Sequence, residues 1–481
     1  MRINLGTTQA ATDYGHARDV EKTEVEKVSG GKVKEGAISI DLTRLVELVE
    51  KNNASVAVAR LAALAHGSEA AASFHSFLPS VGIGAEYSRH RGKTSSTIID
   101  ADGNRIQNTG WHHYNTDPHR NVSVNVNYNL FNSGRDVLSV RGRRYVADAA
   151  KYTETAALQN TIYEAVTLYF YILLLEAQRE ALLEEQTARA EMRAIEESKQ
   201  KLGITNPSDK LKVQNSYLEA KISVFDLDKS LKKERMKLNN FIGLAPDRDF
   251  IIVEKPAGKR QKTGISDVER RIEEALASDI RLKKLEEEKK LAKNNLLSAK
   301  LAMAPVVEAA LSGAFVFKKN PTEEFEPIGS ERMERETTSV EGGLSVRMNF
   351  PVFAGFQNFN LLKARYREVE SLDAQLEAQK RDIKSNVIAT VSDINYYIEV
   401  LPSLEESLKL QKSIFIGVLN SYRNGGSTMA DVLLARSGLE KTKIGLLKEK
   451  YNLLARRLEL LKLTGKLNTK NIINLGGFFY E

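Results

Sequence analysis

The most regular stretch of the sequence is Val122-Ser123-Val124-Asn125-Val126-Asn127-Tyr128-Asn129-Leu130. Successive side chains of a β-strand point to opposite faces, so valine, tyrosine and leucine share one face and serine and asparagine the other. Three further segments alternate in the same way, at about 80–90, 306–318 and 340–350. Together with residues 121–131, they predict four strands that each have an apolar and a polar face.

Strands of this kind are typical of a membrane barrel wall. Each is about 9–11 residues long, which is enough to span a bilayer when the strand is tilted. A half-buried sheet in a soluble domain alternates in the same way and is the alternative interpretation. Two observations favour the barrel: the polar faces are rich in small and polar residues, and no other segment remains to cover the apolar faces.

Four strands cannot close a barrel around an open lumen. Unpaired strand edges are not tolerated in hydrocarbon, so several identical chains must share one wall. Three copies of the four predicted strands give a twelve-stranded barrel. We therefore expect a trimer.

The sequence also contains a weak internal repeat. Residues 131–135 recur in altered form as 353–357, and Gly203 with Asp209 recurs as Gly425 with Asp431, 222 residues later. Repeats of this size indicate duplicated structural units. The predicted division of the chain is a polar tail (1–36), a first repeat (37–242), a linker (243–265), a second repeat (266–468) and a C-terminal tail (469–481).

Long helices follow the second strand of each repeat. The first is predicted from about Gly134 to Lys201, a length of about 100 Å at 1.5 Å per residue. Apolar residues recur every seven positions in the last helix, which predicts supercoiling against a neighbour: Val432, Leu439, Leu446, Leu453 and Leu460. Pro402 is expected to kink or interrupt the second long helix. The predicted fold class is thus an α+β membrane protein with coiled-coil helices.

Composition excludes several functions. The chain has no cysteine, so disulfides and thiolate chemistry are absent. Its net charge is +7, but lysine and arginine alternate with glutamate along the helices, and no nucleic-acid partner is expected. We assign His112, His113, His119 and Asp117 to an irregular polar loop rather than to a metal site, and expect neither a cofactor nor an enzymatic activity.

No segment is typical of a spanning helix or a signal peptide. The longest apolar run, Ala165–Leu175, is too short to cross a bilayer as a helix. Residues Met1–Glu35 are polar and lack the apolar centre of a signal peptide, so we interpret Met1 as the start of a mature chain.

Several junctions carry a resemblance to a known family. The helix-to-strand breaks at residues 77–81 and 304–306, the strand-to-helix turns at 130–135 and 351–357, and the segment Ser421–Leu433 resemble the TolC family of outer-membrane channel proteins. Residues 201–209 resemble the partner of that last segment in the first half. The resemblance implies a homotrimer, with a twelve-stranded barrel in the outer membrane and an α-helical tunnel through the periplasm.

The resemblance also implies a gate at the periplasmic tip. Tyr422 and Asp209 match a hydrogen-bonding pair of the family, and Asp431 matches one member of its constricting acidic ring. This chain departs from some members, because Leu434 stands where a second aspartate can occur and Ser427 where an arginine can occur.

The same tip residues also allow a purely structural interpretation. Gly203 and Gly425 suit the left-handed turns that end helices. Ser208 or Asp209, and Ser427 or Thr428, suit helix N-caps, and both aspartates can stabilise a first turn. The sequence therefore allows either a capping role or a gating role for Asp209 and Asp431.

The functional prediction is a passive exit duct of a tripartite export system. An inner-membrane transporter, ABC-type or proton-driven, and a periplasmic adaptor would supply the cargo for type I protein secretion or multidrug efflux. The absence of a lipid-anchoring cysteine favours protein secretion over multidrug efflux. The alternative is a soluble coiled-coil scaffold or periplasmic adaptor protein.

Overall fold

The computed structural model describes most of the chain in ten ranges. These ranges are 38–89, 91–95, 97–99, 101–108, 112–115, 119–201, 207–253, 264–321, 334–352 and 355–475. The predicted tail at 1–36, Asp117 and Gly203 lie outside them.

Helices dominate the described ranges. They are α1 (Leu42–Asn52), α2 (Ala54–Ala72), α3 (Arg135–Lys201), α4 (Pro207–Phe241), α5 (Val268–Ser278), α6 (Ile280–Leu301), α7 (Gln357–Arg423), α8 (Met429–Leu463) and α9 (Thr469–Ile473). A 3₁₀ turn at Ser73–Phe77 extends α2. The strands are β1 (Ile38–Ile40), β2 (Ser80–Ser88), β3 (Arg91–Thr94), β4 (Thr97–Ile99), β5 (Arg105–Asn108), β6 (His112–Asn115), β7 (His119–Phe131), β8 (Phe250–Ile252), β9 (Val306–Pro321) and β10 (Glu334–Asn349).

The four predicted strands form one antiparallel sheet in the order β10-β9-β7-β2. Strands β2 and β10 are its edges, and each pairs with one neighbour among the described strands. Strand β10 begins six residues before the predicted 340, because its ladder with β9 continues beyond the alternating stretch, from Glu334 opposite Pro321.

The register puts like residues side by side across this sheet. One row consists of Val81, Val126, Leu311 and Leu344. The next row consists of Gly82, Asn125, Ser312 and Gly343, so it is small and polar. The apolar side chains are exposed in the single chain: Val81 is 67% exposed, Leu311 53% and Leu344 74%.

Each half of the chain continues from this sheet into a helix pair of the same dimensions. Helices α3 and α7 each contain 67 residues, and α4 and α8 each contain 35. The turns before α3 and α7 each have two consecutive residues with positive φ: Ser133 and Gly134, then Gly355 and Phe356. Helix α3 packs on α4 and α8, and α7 packs on α8.

Two apolar clusters pack the long helices against the shorter helices of the chain. The first joins β1, α1, α3, α4, α8 and α9, and its fully buried side chains include Tyr169, Phe170 and Leu458. The second joins α5, α6, α7 and α8 around Ile383, Val387 and Ile394. The predicted heptad positions Leu446, Leu453 and Leu460 are buried in this second cluster.

The structure adds an element at each end of the two predicted repeats. Residues 38–40, at the start of the first predicted repeat, form strand β1, which pairs in parallel with β8 from the predicted linker. Residues 469–473 are not part of a tail but form α9, whose Ile472 is fully buried in the first cluster. Both segments were missed because short elements leave little periodicity in the sequence.

Two further expectations need correction. Pro402 was expected to kink or interrupt the second long helix, and α7 continues through it without interruption. Proline removes one backbone hydrogen bond, but Ile398, Leu401 and Leu404 pack into the second cluster on both sides of it. The described histidines assigned to an irregular loop lie in strands instead: His112 and His113 belong to β6, which pairs with β3, and His119 begins β7.

Across the described ranges, none of the helices combines the length and the apolar character that crossing a membrane requires.

Candidate functional site

The candidate site is the end of the helical region farthest from the sheet. There α7 ends at Arg423, residues 424–428 turn, and α8 begins at Met429. Gly425 has a φ of 79°, and the N–H of Gly426 donates to the carbonyl of Ser421 at 2.8 Å. This closes the helix end in the left-handed form that glycine allows. Gly425 thus adopts the positive φ that suits a turn at the end of a helix.

Thr428 and Asp431 form a reciprocal cap at the start of α8. The Asp431 N–H donates to Thr428 Oγ1 at 3.2 Å, and the Thr428 N–H donates to Asp431 Oδ2 at 2.8 Å. The Thr428 hydroxyl donates to the same carboxylate oxygen at 2.7 Å. Of the two predicted cap residues, Thr428 is therefore the N-cap, whereas Ser427 donates to the hydroxyl of Ser421.

The cap also sets the ionisation of Asp431. Hydrogen bonds from the side chain and the backbone of Thr428 lower the pKa of this exposed carboxyl. Because the pKa is lowered on folding, the contribution to stability is complete at neutral pH and is lost as the pH falls through the lowered value. The structural role of Asp431 is thus visible within a single chain.

We expect Thr428→Ala to loosen the first turn of α8. Loss of a threonine N-cap typically destabilises a helix by about 0.5–2 kcal/mol. Hydrogen exchange followed by mass spectrometry should therefore be faster in residues 429–433 of the variant than in the wild type. The matched control is Thr442→Ala, since the Thr442 hydroxyl bonds only to Gly438 O within α8. Equal exchange at the tip in both variants would contradict the capping role.

Tyr422 fastens the last turn of α7 to α3. Its hydroxyl donates to Glu196 Oε1 at 2.5 Å, and Lys199 Nζ donates to the Tyr422 oxygen at 2.7 Å. The ammonium of Lys199 also lies 4.3 Å from the centre of the Tyr422 ring. Burial, followed by the hydrogen bond to Glu196, raises the pKa of Tyr422. The phenol therefore stays protonated and remains a donor.

The structure does not bring together the pair that the sequence predicted. Asp209, on the first turn of α4, accepts a bond from Lys212 at 3.1 Å, and Tyr422 bonds to Glu196 and Lys199 instead. Tyr422 points towards α3, where Glu196 is only 1% exposed. Glu196 was missed, although one signal exists: Glu185, Arg189, Met192 and Glu196 follow the four-three-four spacing of a helix seam.

A small apolar cluster lies next to the Tyr422 contact. Its buried members are Met192, Val213, Phe415, Met429 and Val432. They come from α3, α4, α7 and α8, so all four long helices meet at the tip. Leu434, which stands where a second acidic residue can occur, is 75% exposed.

Comparison with known families decides the identity of this fold. The family model described as "Outer membrane efflux protein" matches residues 45–244 and 272–466. The chain belongs to the outer membrane efflux protein family. Proteins of this family are channels and not enzymes, and the resemblance to TolC-like channels drawn from the junction and tip residues is confirmed.

Solved channels of the family share this fold. VceC from Vibrio cholerae is 15% identical, with a TM-score of 0.68 over 88% of this chain and 96% of its own. The Campylobacter jejuni outer membrane channel CmeC is 16% identical, with a TM-score of 0.68 over 94% and 96%. The open state of the Neisseria gonorrhoeae channel MtrE is 17% identical, with a TM-score of 0.62 over 91% and 89%. A search of curated proteins gave no match.

Proposed function

We propose that this chain is one protomer of a homotrimeric, passive exit duct in the outer membrane. The observation that carries the proposal is a sheet with one exposed apolar face and one polar face, continued by two 67-residue helices. In this proposal the apolar rows contact lipid and the polar rows line water. A soluble scaffold has no use for rows such as Val81, Val126, Leu311 and Leu344 on an exposed sheet face.

The sheet edges support assembly from several copies. Edge strands in hydrocarbon need hydrogen-bond partners, and β2 and β10 of one chain can supply them to the next. Three copies of this sheet make a closed wall of twelve strands. The 67-residue helices, about 100 Å long at 1.5 Å per residue, then continue the duct as a periplasmic tunnel.

The gate of the proposed duct is the helical tip. The contact of Tyr422 with Glu196 and Lys199 ties the α7–α8 hairpin to α3. Asp431, although held in the cap by Thr428, is exposed and would face its copies around the axis. Three aspartates brought close by threefold symmetry would repel one another and attract cations. An open state of the outer membrane channel MtrE has been solved, which supports a duct that can open and close.

The test is conductance through planar lipid bilayers. The purified wild-type protein should form channels. Asp431→Ala should raise their single-channel conductance, because the shorter side chain widens the proposed constriction, and should weaken cation selectivity, because it removes the proposed ring of charge. Asp382→Ala is the control, since that exposed aspartate lies on α7 about 60 Å from the tip at 1.5 Å per residue.

Three outcomes would count against the proposal. A wild-type protein that is monomeric, stays in water without detergent and passes no ions would overturn the exit duct. Wild-type channels with unchanged conductance in Asp431→Ala would remove this residue from the gate. An equal rise in Asp382→Ala would mean that the effect is not specific to the tip.

The cargo enters the proposed duct from a periplasmic adaptor and an inner-membrane transporter, ABC-type or proton-driven. The family name favours efflux over type I protein secretion as the role of the duct. Isolation of the protein with a crosslinked partner would decide between the two: a proton-driven pump supports efflux, and an ABC transporter with a peptidase-like domain supports protein secretion.

A further inference from the structure

A buried group of four charges lies above the tip, and it has no part in the gate described so far. At its centre Arg189 of α3 makes three hydrogen bonds. Its Nε donates to Glu185 Oε1 at 2.7 Å, its Nη1 to the carbonyl of Ser216 at 3.0 Å and its Nη2 to Glu440 Oε2 at 2.9 Å. One side chain thus connects α3 with α4 and α8.

Arg436 completes the group from α8. Its guanidinium forms an ion pair with Glu185 Oε2 and lies 5.0 Å from the centre of the Phe415 ring on α7. Glu185 is 3% exposed and Arg189 9%, so their bonds are shielded from water. Two carboxylates and two guanidinium groups balance, and we call Glu185, Arg189, Arg436 and Glu440 the charge cluster.

The balance matters because Glu185 and Arg189 are buried and Arg436 and Glu440 are only partly exposed. Burial, and then the negative charge of Glu185, raise the pKa of Glu440, while Arg189 and Arg436 oppose this shift. Removal of one guanidinium would leave excess negative charge in a buried place, which is far less favourable than removal of a neutralised pair. The helices around the cluster then gain by separating and admitting water.

The position of the cluster links it to the gate. From the sheet side towards the tip, α3 presents the charge cluster, then Met192 of the small apolar cluster, then Glu196, which holds Tyr422. Among the residues that the structure describes, five buried apolar side chains hold this end, against nineteen and eleven in the two larger clusters. Polar contacts must therefore contribute much to fixing how the helices are positioned against one another at the tip.

We propose that Arg189 is a positioning residue for the closed gate. Through Glu185, Arg436 and Glu440 it fixes α8 against α3 and thereby sets where Tyr422 and Asp431 stand. The inference rests on the proposed function and names a residue that acts on the gate from about one helical turn beyond the small apolar cluster.

The experiment compares single-channel conductance in planar bilayers for three variants of the full chain. Arg189→Met should raise the conductance of the resting channel at least threefold. Arg189→Met combined with Glu440→Met should return it to within about one and a half times the wild-type value, because Glu185 and Arg436 then balance each other. If Arg189 had a purely structural role, the conductance of the double variant would lie further from the wild-type value than that of the single variant.

The matched control is Lys443→Met. Lys443 joins α8 to Glu184 of α3 at 2.6 Å, so it links the same two helices as the charge cluster. This pair is exposed, with 41% and 61% of the side chains accessible, and exposed pairs contribute little. The conductance of Lys443→Met should equal that of the wild type.

Assembly is checked for each variant by the mobility of the unheated trimer in gels. If Arg189→Met does not assemble, Glu440→Gln replaces it, and this variant should raise conductance at least 1.5-fold. Wild-type conductance in the assembled single variant, no recovery in the double variant, or an equal rise in Lys443→Met would overturn the inference. A rise in Asp431→Ala without one in the Arg189 variant would refute only this inference, whereas a wild type without channels would refute the proposed function.

Discussion

We expect the Leu311→Lys variant to lose most of the proposed trimer from the outer membrane. Leu311 lies between Val126 and Leu344 in an apolar row of the sheet, and it is 53% exposed. It also lies near the middle of the apolar side chains of β9, which run from Val307 to Phe317. A lysine facing lipid at the bilayer midplane costs about 2–4 kcal/mol, and each trimer would carry three.

The matched control is the neighbouring residue on the opposite face. Ser312 lies in the small, polar row between Asn125 and Gly343, so Ser312→Lys would face the water of the lumen. This variant should assemble like the wild type and shift ion selectivity towards anions. The measurement is the amount of heat-modifiable trimer in the outer-membrane fraction. Equal loss in both variants would mean that the apolar rows do not face lipid.

The Ile472→Ala variant is expected to be markedly less stable than the wild type. Ile472 of α9 is fully buried in the first apolar cluster, together with Leu45, Tyr169 and Leu458. Truncation of a buried isoleucine to alanine typically lowers the free energy of unfolding by about 2–5 kcal/mol, because a cavity remains. Circular dichroism during denaturant unfolding in detergent should therefore give a lower transition midpoint.

Lys470→Ala is the control for this second variant. Lys470 is exposed on the same short helix, and surface substitutions usually change stability by about 0.5 kcal/mol or less. Its midpoint should match that of the wild type. If Ile472→Ala also unfolds like the wild type, then α9 does not contribute to the core, and the segment behaves as the tail that the sequence predicted.

Regular elements could be predicted because their periodicity is local. The alternation at 122–130 predicted β7, and the proline-free stretch after it predicted a helix at 134–201, where α3 occupies Arg135–Lys201. Both patterns follow from backbone geometry, with a period of two in a strand and 3.6 in a helix. The breaks between adjacent helices were less visible: Asn53 and Asp279 each cap a new helix directly after the preceding helix ends.

Short elements and pairings could not be predicted in this way. Strands β1 and β8 have three residues each and lie 212 positions apart, so neither shows a period. The tip turn at Gly425 was predictable from glycine and a following cap. The partner of Tyr422 was not predicted, because Asp209 and Glu196 are both acidic residues near the same helix ends, and the seam spacing of Glu196 alone does not name its partner.

The sequence by itself determined the two-faced strands, the long helices, their apolar seams and the absence of cysteine chemistry. Only the tertiary structure decided which polar groups meet: Tyr422 contacts Glu196 across 226 positions, and Arg189 contacts Glu440 across 251. The physical reason is that a periodic pattern records how one segment faces its surroundings. A buried ion pair depends on the rotation and axial register of two packed helices. Many residues, distant from one another in the sequence, jointly determine this rotation and register.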